Sequence, residues 1–490
     1  MRPSPFSFAA ASALALALAG CATVGPDFKA PAAPAVQGYA QAGDTAAPGV
    51  QIGQPIAGDW WSLLGSPEID QTVRQALVGN RDLEAARASL QQARDAVMSQ
   101  ASRATLDGTA SAGRNRMNLT SFGFSQFPGP NGPIKLENPT FTIYSFGLSG
   151  RYDLDLFGAR RREHESLEAR AEAQAYQTDA AYLTLTAQLV SQAIDIASLK
   201  AQIAAAEEIV ASDQSNLDLV SKSYRLGGGT RLDVTTVQTQ LSEDQGTITP
   251  LRQRLSAARH ALALLVGRAP SDWAPPEFEL DRIGQPGAIP VALPSELVRD
   301  RPDIRAAEAR LHAATAQIGV AQADLYPKLS LTGSIAQSAL HPEDLFSFGA
   351  TGYGIGPQLS LPLFRGEELR AKKRMAEDAA RAALATYEQT VLKAFVQVAD
   401  SLEAIANDDV QIADAQRAYQ ASSDSLRLQR LRFQDGKSAL LPVLDAQRSY
   451  ARASLGSIRA RAQRLQDSAA LLYAVSHSWT GEPATSVANR

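Results

Sequence analysis

Hydrophobic residues follow two different periods along this chain, and the two periods separate helical stretches from extended ones. In the stretches 189–224 and 391–433, apolar residues recur at alternating steps of three and four. The same spacing continues through 234–265 and 441–472. Steps that average 3.5 residues are typical of long helices that pack as coiled coils. We therefore expect four long helices of this kind.

Four other segments alternate apolar residues with small or polar ones, and this period of two predicts strands. Each strand would present one apolar face and one small or polar face, and about 9 to 11 residues are enough to cross a bilayer. A half-buried sheet in a soluble domain gives the same alternation, so the pattern alone does not decide between them. The predicted strands cover about residues 105–117, 141–156, 328–338 and 350–363.

The number of strands favours a membrane barrel shared between copies of the chain. Four strands cannot enclose an interior, because about eight are needed even for a filled barrel. Open sheet edges are not tolerated in lipid. We therefore expect copies of the chain to share one transmembrane barrel, to which each copy gives four strands. Three copies would give a twelve-stranded barrel. The long helices would continue it as an α-helical barrel, which makes the predicted fold class an α+β membrane protein.

The plan of the first half returns in the second half after roughly 210 residues, which indicates an internal duplication. Tyr224 and Gly227, for example, are echoed by Phe433 and Gly436. Between the halves, closely spaced prolines predict a connector rather than a helix. The predicted organisation is a signal peptide at 1–20, an N-terminal segment at 21–80, a first repeat at 81–267, a proline-rich connector at 268–301, a second repeat at 302–475 and a tail at 476–490.

Cys21 is the only cysteine of the chain and directly follows an apolar run that is too short to span a bilayer. The sequence Leu18-Ala19-Gly20-Cys21 is similar to a bacterial lipobox, whose cysteine becomes the acylated N-terminus. We therefore predict Cys21 as the lipid attachment site, which would leave no free thiol. The alternative is an ordinary signal peptide with a cysteine nearby by chance.

Composition and charge exclude several classes of function. The formal net charge is −4 and no basic block occurs, so a nucleic-acid partner is not expected. The five histidines lack the spacing of a metal site, and the chain contains no complete catalytic or phosphate-binding motif. We therefore expect no enzymatic activity, no metal and no cofactor other than the covalent lipid.

Several motifs occur in a fixed order along the chain. They are Val24-Gly25-Pro26-Asp27-Phe28, Asp59-Trp60-Trp61, Leu293-Pro294-Ser295-Glu296-Leu297, Arg301-Pro302-Asp303-Ile304, Tyr326-Pro327-Lys328-Leu329 and Val443-Leu444-Asp445-Ala446-Gln447. Together these motifs resemble the TolC, OprM and NodT family of outer-membrane efflux channels. The resemblance implies a homotrimer in the outer membrane that extends into the periplasm. It also implies a passive exit duct for small molecules such as drugs, which a periplasmic adaptor joins to an inner-membrane pump, expected to be of RND type.

The same resemblance places a periplasmic gate at the two helix-to-helix turns, within 224–237 and 433–447. Three copies of an acidic residue around an axis would favour cations and repel anions. The alternative for these acids is a charge that stabilises the start of a helix. The candidate gate residues are Asp233, Asp445, Tyr224 and Phe433.

The turn after Phe433 departs from the best-known member of the family. Ser438 stands where that channel has an arginine of its closing network, and Pro442 stands where it has a second acidic residue. Phe433 itself replaces a tyrosine. We therefore expect the closed state of this chain to depend less on charge pairs at that turn.

Two other functions remain open at the level of sequence. One is a structural coiled-coil lipoprotein that does not span the membrane, and the other is the outer-membrane conduit of a protein secretion system. Metal efflux has little support, because methionines and histidines are few.

Overall fold

A computed structural model describes most of the chain beyond its N-terminal region. The predicted signal peptide, Cys21 and residues 477–490 of the predicted tail lie outside the described residues. The residues that the structure describes are 23–32, 34, 38–39, 41, 49–54, 56, 58–100, 106–118, 126–127, 130, 132, 134–135 and 140–476.

Helices make up most of the described residues. They are α1 Pro67–Gly79, α2 Arg81–Gln100, α3 Ala159–Arg225, α4 Arg231–Val266, α5 Pro294–Asp300, α6 Pro302–Ala323, α7 Gly366–Gln434 and α8 Leu440–Val475. The two longest, α3 and α7, begin well before the predicted heptad stretches, and their early buried residues include Ala169 and Ala173 in α3 and Ala380 in α7. In the part of the chain that the structure covers, none of the helices has the length and apolarity needed to cross a membrane.

The described strands are β1 Val50–Ile52, β2 Leu106–Asn118, β3 Gln126–Phe127, β4 Ile134–Lys135, β5 Thr140–Leu154, β6 Ile289–Val291, β7 Lys328–Ala339 and β8 Thr351–Ser360. The four predicted strands are confirmed as β2, β5, β7 and β8, which form one antiparallel sheet in that order. Two short pairs accompany it, β1 with β6 in parallel and β3 with β4 antiparallel.

The register of the sheet places the apolar residues of neighbouring strands on one common face. Leu148 pairs with Ile335, which pairs with Tyr353. Residues directly opposite each other share a face, and side chains two positions apart along a strand do so as well. Ser149 and its partner Ser334 therefore lie on the other face. Tyr353 is 86% exposed in the single chain, so the apolar face is uncovered there.

The chain divides into two compact units, each of which draws on both halves of the sequence. The first unit contains the sheet. Its described parts are the segment ending at Ala30, Ala93–Ala171 and Arg310–Leu384. The second unit contains the turns after α3 and α7. Its parts are the segment from Pro31 to Gln92, Glu172–Ala309 and the segment that starts at Ala385.

The core of the second unit includes the two tryptophans of the N-terminal motif. Trp60 and Trp61 are almost completely buried. Trp60 Nε1 donates a hydrogen bond to Thr186 Oγ1 at 3.3 Å, and Trp61 Nε1 donates to Asp70 Oδ1 at 3.1 Å. Both indole N–H groups are therefore satisfied inside the core, as burial of a tryptophan requires.

The proline-rich connector contains regular structure, and the prediction of no helix in this stretch was wrong. Helix α5 and strand β6 both lie inside 268–301. Pro294 is the first residue of α5. A proline at that position costs no hydrogen bond, because the first N–H groups of a helix have no partner within it. Helix α6 begins at Pro302, the first residue of the predicted second repeat. The N-terminal segment at 21–80 also contains a helix, α1.

Candidate functional site: the two helix-to-helix turns

The long helices of each half are joined by a short turn that depends on one glycine. Gly227 has φ of 80° and Gly436 has φ of 70°, a left-handed conformation that glycine adopts without steric cost. In the first turn Gly228 N–H donates to the Ser223 carbonyl at 2.9 Å. In the second turn Lys437 N–H donates to the Arg432 carbonyl at 2.8 Å. These bonds close the ends of α3 and α7 in the same way.

The two turns are equivalent positions of the repeated plan. Gly227 and Gly436 are separated by a certain number of residues along the sequence. The same number separates the end of α3 from the end of α7, and the start of α4 from the start of α8. Helices α4 and α8 each contain 36 residues. At this separation Asp233 corresponds to Pro442, and Thr236 corresponds to Asp445. The two candidate acids therefore do not occupy equivalent positions.

Asp233 stabilises the start of α4. Its carboxylate accepts hydrogen bonds from the Thr230 N–H at 2.8 Å and from the Thr230 hydroxyl at 2.7 Å. The Asp233 N–H in turn donates to Thr230 Oγ1 at 3.2 Å, which completes a capping box. Hydrogen bonds from the Thr230 hydroxyl and then from its backbone N–H hold the pKa of Asp233 below its usual range. The capping box agrees with the alternative interpretation of Asp233, in which its charge stabilises the start of a helix.

Asp445 has different surroundings. It is the sixth residue of α8, beyond the first turn, so the helix-start interpretation does not apply to it. Its side chain is 64% exposed, and its carboxylate lies 3.7 Å from Arg448 Nη1. The N-cap position of α8 is Ala439, which has no side chain that could cap the helix.

Two small apolar clusters hold the helices together beside the turns. In the first, Val220 and Val237 pack with Leu444, so the hairpin of α3 and α4 contacts α8. In the second, Leu426 and Val443 pack together with the partly buried Phe433. Tyr224, the counterpart of Phe433 in the first half, is 46% exposed. Of the two candidate aromatic residues, Phe433 thus contributes to packing, while Tyr224 presents much of its ring to the surroundings.

A buried polar network that belongs to none of the sequence motifs joins α3, α4 and α8. Asp213 on α3 is fully buried and accepts a hydrogen bond from Gln447 Nε2 on α8 at 2.6 Å. Gln447 Oε1 accepts from Asn216 Nδ2 at 2.8 Å. On α4, Gln240 Nε2 donates to Asp244 Oδ2 at 2.5 Å. Gln240 also accepts a hydrogen bond from Arg448.

The sequence does contain a signal for this network. Asp213 and Asp244 both occupy core positions of the heptad pattern, where polar residues are uncommon and set the register between helices. Burial, followed by the hydrogen bond and the charge of Asp244, raises the pKa of Asp213 to about 7. The charges of Arg430 and Arg448 act in the opposite direction.

Residues 24–28, which follow the predicted lipid attachment site, bind to other parts of the first unit. Buried Arg162 donates from Nε to the Val24 carbonyl at 3.2 Å and from Nη2 to Asp27 Oδ1 at 2.6 Å. The ring of Phe28 stacks on His312 with ring centroids 4.4 Å apart. The chain therefore has a defined position from Thr23 onward, two residues after the predicted lipid attachment site.

Comparison with known proteins points to one family. The sequence model described as "Outer membrane efflux protein" matches residues 72–268 and 293–476. The pyoverdine export outer membrane protein OpmQ of Pseudomonas aeruginosa is 30% identical over 86% of this chain and 88% of its own. The toluene efflux pump outer membrane protein TtgI of Pseudomonas putida is 30% identical over 88% of this chain and 90% of its own. The solved structure of the outer-membrane channel OprN superposes with a TM-score of 0.80 at 29% identity, covering 93% of this chain and 99% of that one.

Proposed function

Because this chain belongs to the outer membrane efflux protein family, and is therefore an efflux component of the outer membrane, we propose that three copies form a passive exit duct. Each copy would give four strands to a twelve-stranded barrel and its long helices to a periplasmic tube. The observation that carries this proposal is the sheet, whose apolar face is exposed along three strands.

The edges of the sheet support the trimer. In the described residues β2 and β8 are the outer strands of the four-stranded sheet, and each pairs with one neighbour only. In lipid, every backbone N–H and C=O group needs a partner, since no water is available. Copies of the same chain supply one if β8 of one copy pairs with β2 of the next. Closure by three copies gives a barrel wide enough to contain a water-filled channel.

The lipid on Cys21 would be a second attachment to the membrane. Arg162 binds the Val24 carbonyl, and Gly158 leaves room for Thr23, in the unit that also contains the sheet. An acyl chain two residues earlier would enter the bilayer close to the barrel. We expect mass spectrometry of the mature protein to show a triacylated N-terminal cysteine. In the Cys21→Ser variant, we expect slower processing and assembly, with unchanged conductance of the trimers that do assemble.

The partners would be a periplasmic adaptor and an inner-membrane pump of RND type, which supplies the energy. Two relatives are named for the export of pyoverdine and for the efflux of toluene, so we propose small organic molecules as the cargo. A deletion strain tested against dyes, antibiotics and solvents identifies the class. Loss of protein secretion without any change in sensitivity would instead favour the conduit of a secretion system.

Asp445 and Asp233 would line the periplasmic entrance, beside Tyr224 and Phe433. Replacement of a carboxylate by an amide removes charge at nearly constant shape, so Asp445→Asn should lower the preference for cations. The effect of Asp233→Asn should be smaller, because its carboxylate is engaged by Thr230. Reversal potentials in asymmetric KCl measure both. Unchanged ion selectivity in the Asp445→Asn variant would show that Asp445 does not face the pore.

The decisive experiment for the duct uses the full-length protein extracted from outer membranes. We expect native mass spectrometry in detergent to give a trimer, and planar bilayers to show ion conductance after its addition. A monomer that gives no conductance would contradict the duct and favour a lipoprotein that does not span the membrane.

A further inference from the structure

The carboxyl groups of Asp213 and Asp244 meet inside the second unit, at a point where three long helices contact one another. Asp213 lies on α3 and is fully buried, and its Oδ2 atom has no hydrogen-bond partner among the described residues. Asp244 on α4 lies within hydrogen-bonding reach of it. Two carboxylates in contact cannot both keep their charge at low cost, whereas a shared proton satisfies both.

The remaining contacts place this pair at the centre of a network. Gln447 on α8 donates to the other oxygen of Asp213 at 2.6 Å, so the pair also joins α8. Gln240 donates to Asp244 at 2.5 Å and is itself bound by Arg448. A break between Asp213 and Asp244 would therefore disturb contacts of α3, α4 and α8 together.

Charged groups face the pair from two other directions. Arg430 on α7 contacts Ser212, the neighbour of Asp213, and Arg448 reaches the pair from α8 through Gln240. These guanidinium groups partly compensate a single negative charge. They also oppose a bound metal cation, for which two carboxylates are in any case a small ligand set.

We propose that Asp213 and Asp244 share one proton, and that this proton holds α3 to α4 and α8 within the second unit, so that the contact weakens as the pH rises through neutrality. The loss of the proton places two negative charges in contact within a buried site. The consequence for conduction, easier opening of the periplasmic entrance, rests on the function proposed above. The contact itself does not depend on it.

The sign and size of the effect follow from linkage. An aspartic acid whose pKa is raised by folding stabilises the closed arrangement fully at low pH and loses that contribution as the pH passes its folded value. The pKa of Asp213 is raised to about 7. An opened site would return it to about 4. Between pH 6 and pH 8 local opening should then become about tenfold more favourable.

Hydrogen exchange of the full-length protein in detergent, followed by mass spectrometry, tests the proposal. After correction for the intrinsic pH dependence of exchange, we expect protection factors in 205–220 and 237–250 to fall about tenfold from pH 6 to pH 8. Asp213→Asn and Asp244→Asn should both abolish this fall. An amide at either position donates a permanent hydrogen bond to the remaining carboxylate.

Two features make the result specific. Asp218→Asn, on the exposed face of the same helix, is the matched control and should retain the fall. Asp408 has a pKa that burial, followed by a hydrogen bond with Asp467, raises to about 7 as well, so peptides of α7 and α8 are left out of the readout. Equal protection of the wild type at both pH values would overturn the proposal. Persistence of the fall in both asparagine variants would do so too.

Conductance then tests the consequence separately. We expect the open fraction of wild-type channels to rise between pH 6 and pH 8 and that of Asp213→Asn to stay constant. Absence of conductance in every variant would contradict the duct, while the exchange data would still decide the shared proton.

Discussion

The turns after α3 and α7 reverse the chain with a glycine in the same left-handed conformation, yet the helices that follow them begin differently. Helix α4 begins with a capping box between Thr230 and Asp233. Helix α8 has Ala439 and Pro442 at the two equivalent positions, so it has neither the capping oxygen nor the N–H group that would bind it. The two halves therefore share the backbone geometry of the turn, but only the first half has a side-chain cap at the start of the following helix.

This difference indicates how each turn is held. Each turn is closed by a backbone hydrogen bond, but only the first also has a capping box. The start of α8 after the second turn depends instead on the packing of Val443 with Leu426 and Phe433. Packing between helices can change when the helices move, while a capping box travels with its own helix. We therefore expect the first turn to behave as a rigid tip and the second turn to respond more strongly to changes in its neighbours.

The largest effect should come from Leu444, which joins the first hairpin to α8. Leu444 is 1% exposed and packs against Val220 and Val237. Leu444→Ala removes buried methyl groups and leaves a cavity, which costs about 2–5 kcal/mol. We expect this loss in the opening free energy measured by hydrogen exchange at both turns. An effect confined to α8 would show that the two hairpins are not coupled through this residue.

The glycines should give the next largest effect, and an equal one at both turns. No described atom lies within 4 Å of the position that a Cβ would take at Gly227 or Gly436. The cost of alanine there is therefore conformational alone, about 1–2 kcal/mol. Gly227→Ala and Gly436→Ala should lower local opening free energies by similar amounts. The matched asparagine variants should cost less, because asparagine adopts this conformation more readily.

The sequence predicted the sheet more completely than the helices, for a physical reason. A strand with two different faces must alternate strictly, so residues such as Leu148 and Ser149 reveal both the element and its faces. Helices α3 and α7 begin with turns that pack through alanine, and alanine carries little periodic signal. Helix α5 was missed because its proline occupies the one region of a helix that tolerates proline.

The candidate site was predictable in position but not in its internal contacts. The glycines and the repeated plan located both turns from sequence. The polar heptad positions Asp213 and Asp244 were visible as well, but their pairing depends on the register between α3 and α4, which the turn geometry determines. Likewise the capping role of Asp233 required the observation that α4 begins at Arg231.

The caps themselves permit a reciprocal test of smaller size. Thr230→Ala should lower the opening free energy at the start of α4 by about 1 kcal/mol. The reverse change, Ala439→Thr, should gain less, because Pro442 has no N–H for the new hydroxyl to bind. The double variant Ala439→Thr with Pro442→Asp recreates the capping box and should gain about 1 kcal/mol. Exchange rates of the first amides of α4 and α8 measure all three variants.

If the double variant gained nothing over Ala439→Thr, the second turn would not have the backbone geometry that matches the first. If Thr230→Ala had no effect, the capping box would contribute nothing to the rigidity of the first turn. Either result would remove the contrast between the two turns.

The smallest expected effect is a pH dependence that only the first turn shows. Hydrogen bonds from the Thr230 hydroxyl and N–H lower the pKa of Asp233. A carboxylate whose pKa is depressed by folding stabilises the folded form above its unfolded value, and the contribution is lost as the pH falls through the folded value. Protection of the first amides of α4 should therefore decrease slightly between pH 5 and pH 3. The equivalent amides of α8 should not change in this way, because Pro442 replaces the acid there. Asp233→Asn should remove the decrease in α4, and a decrease of equal size in α8 would show that the acid effect does not arise from Asp233.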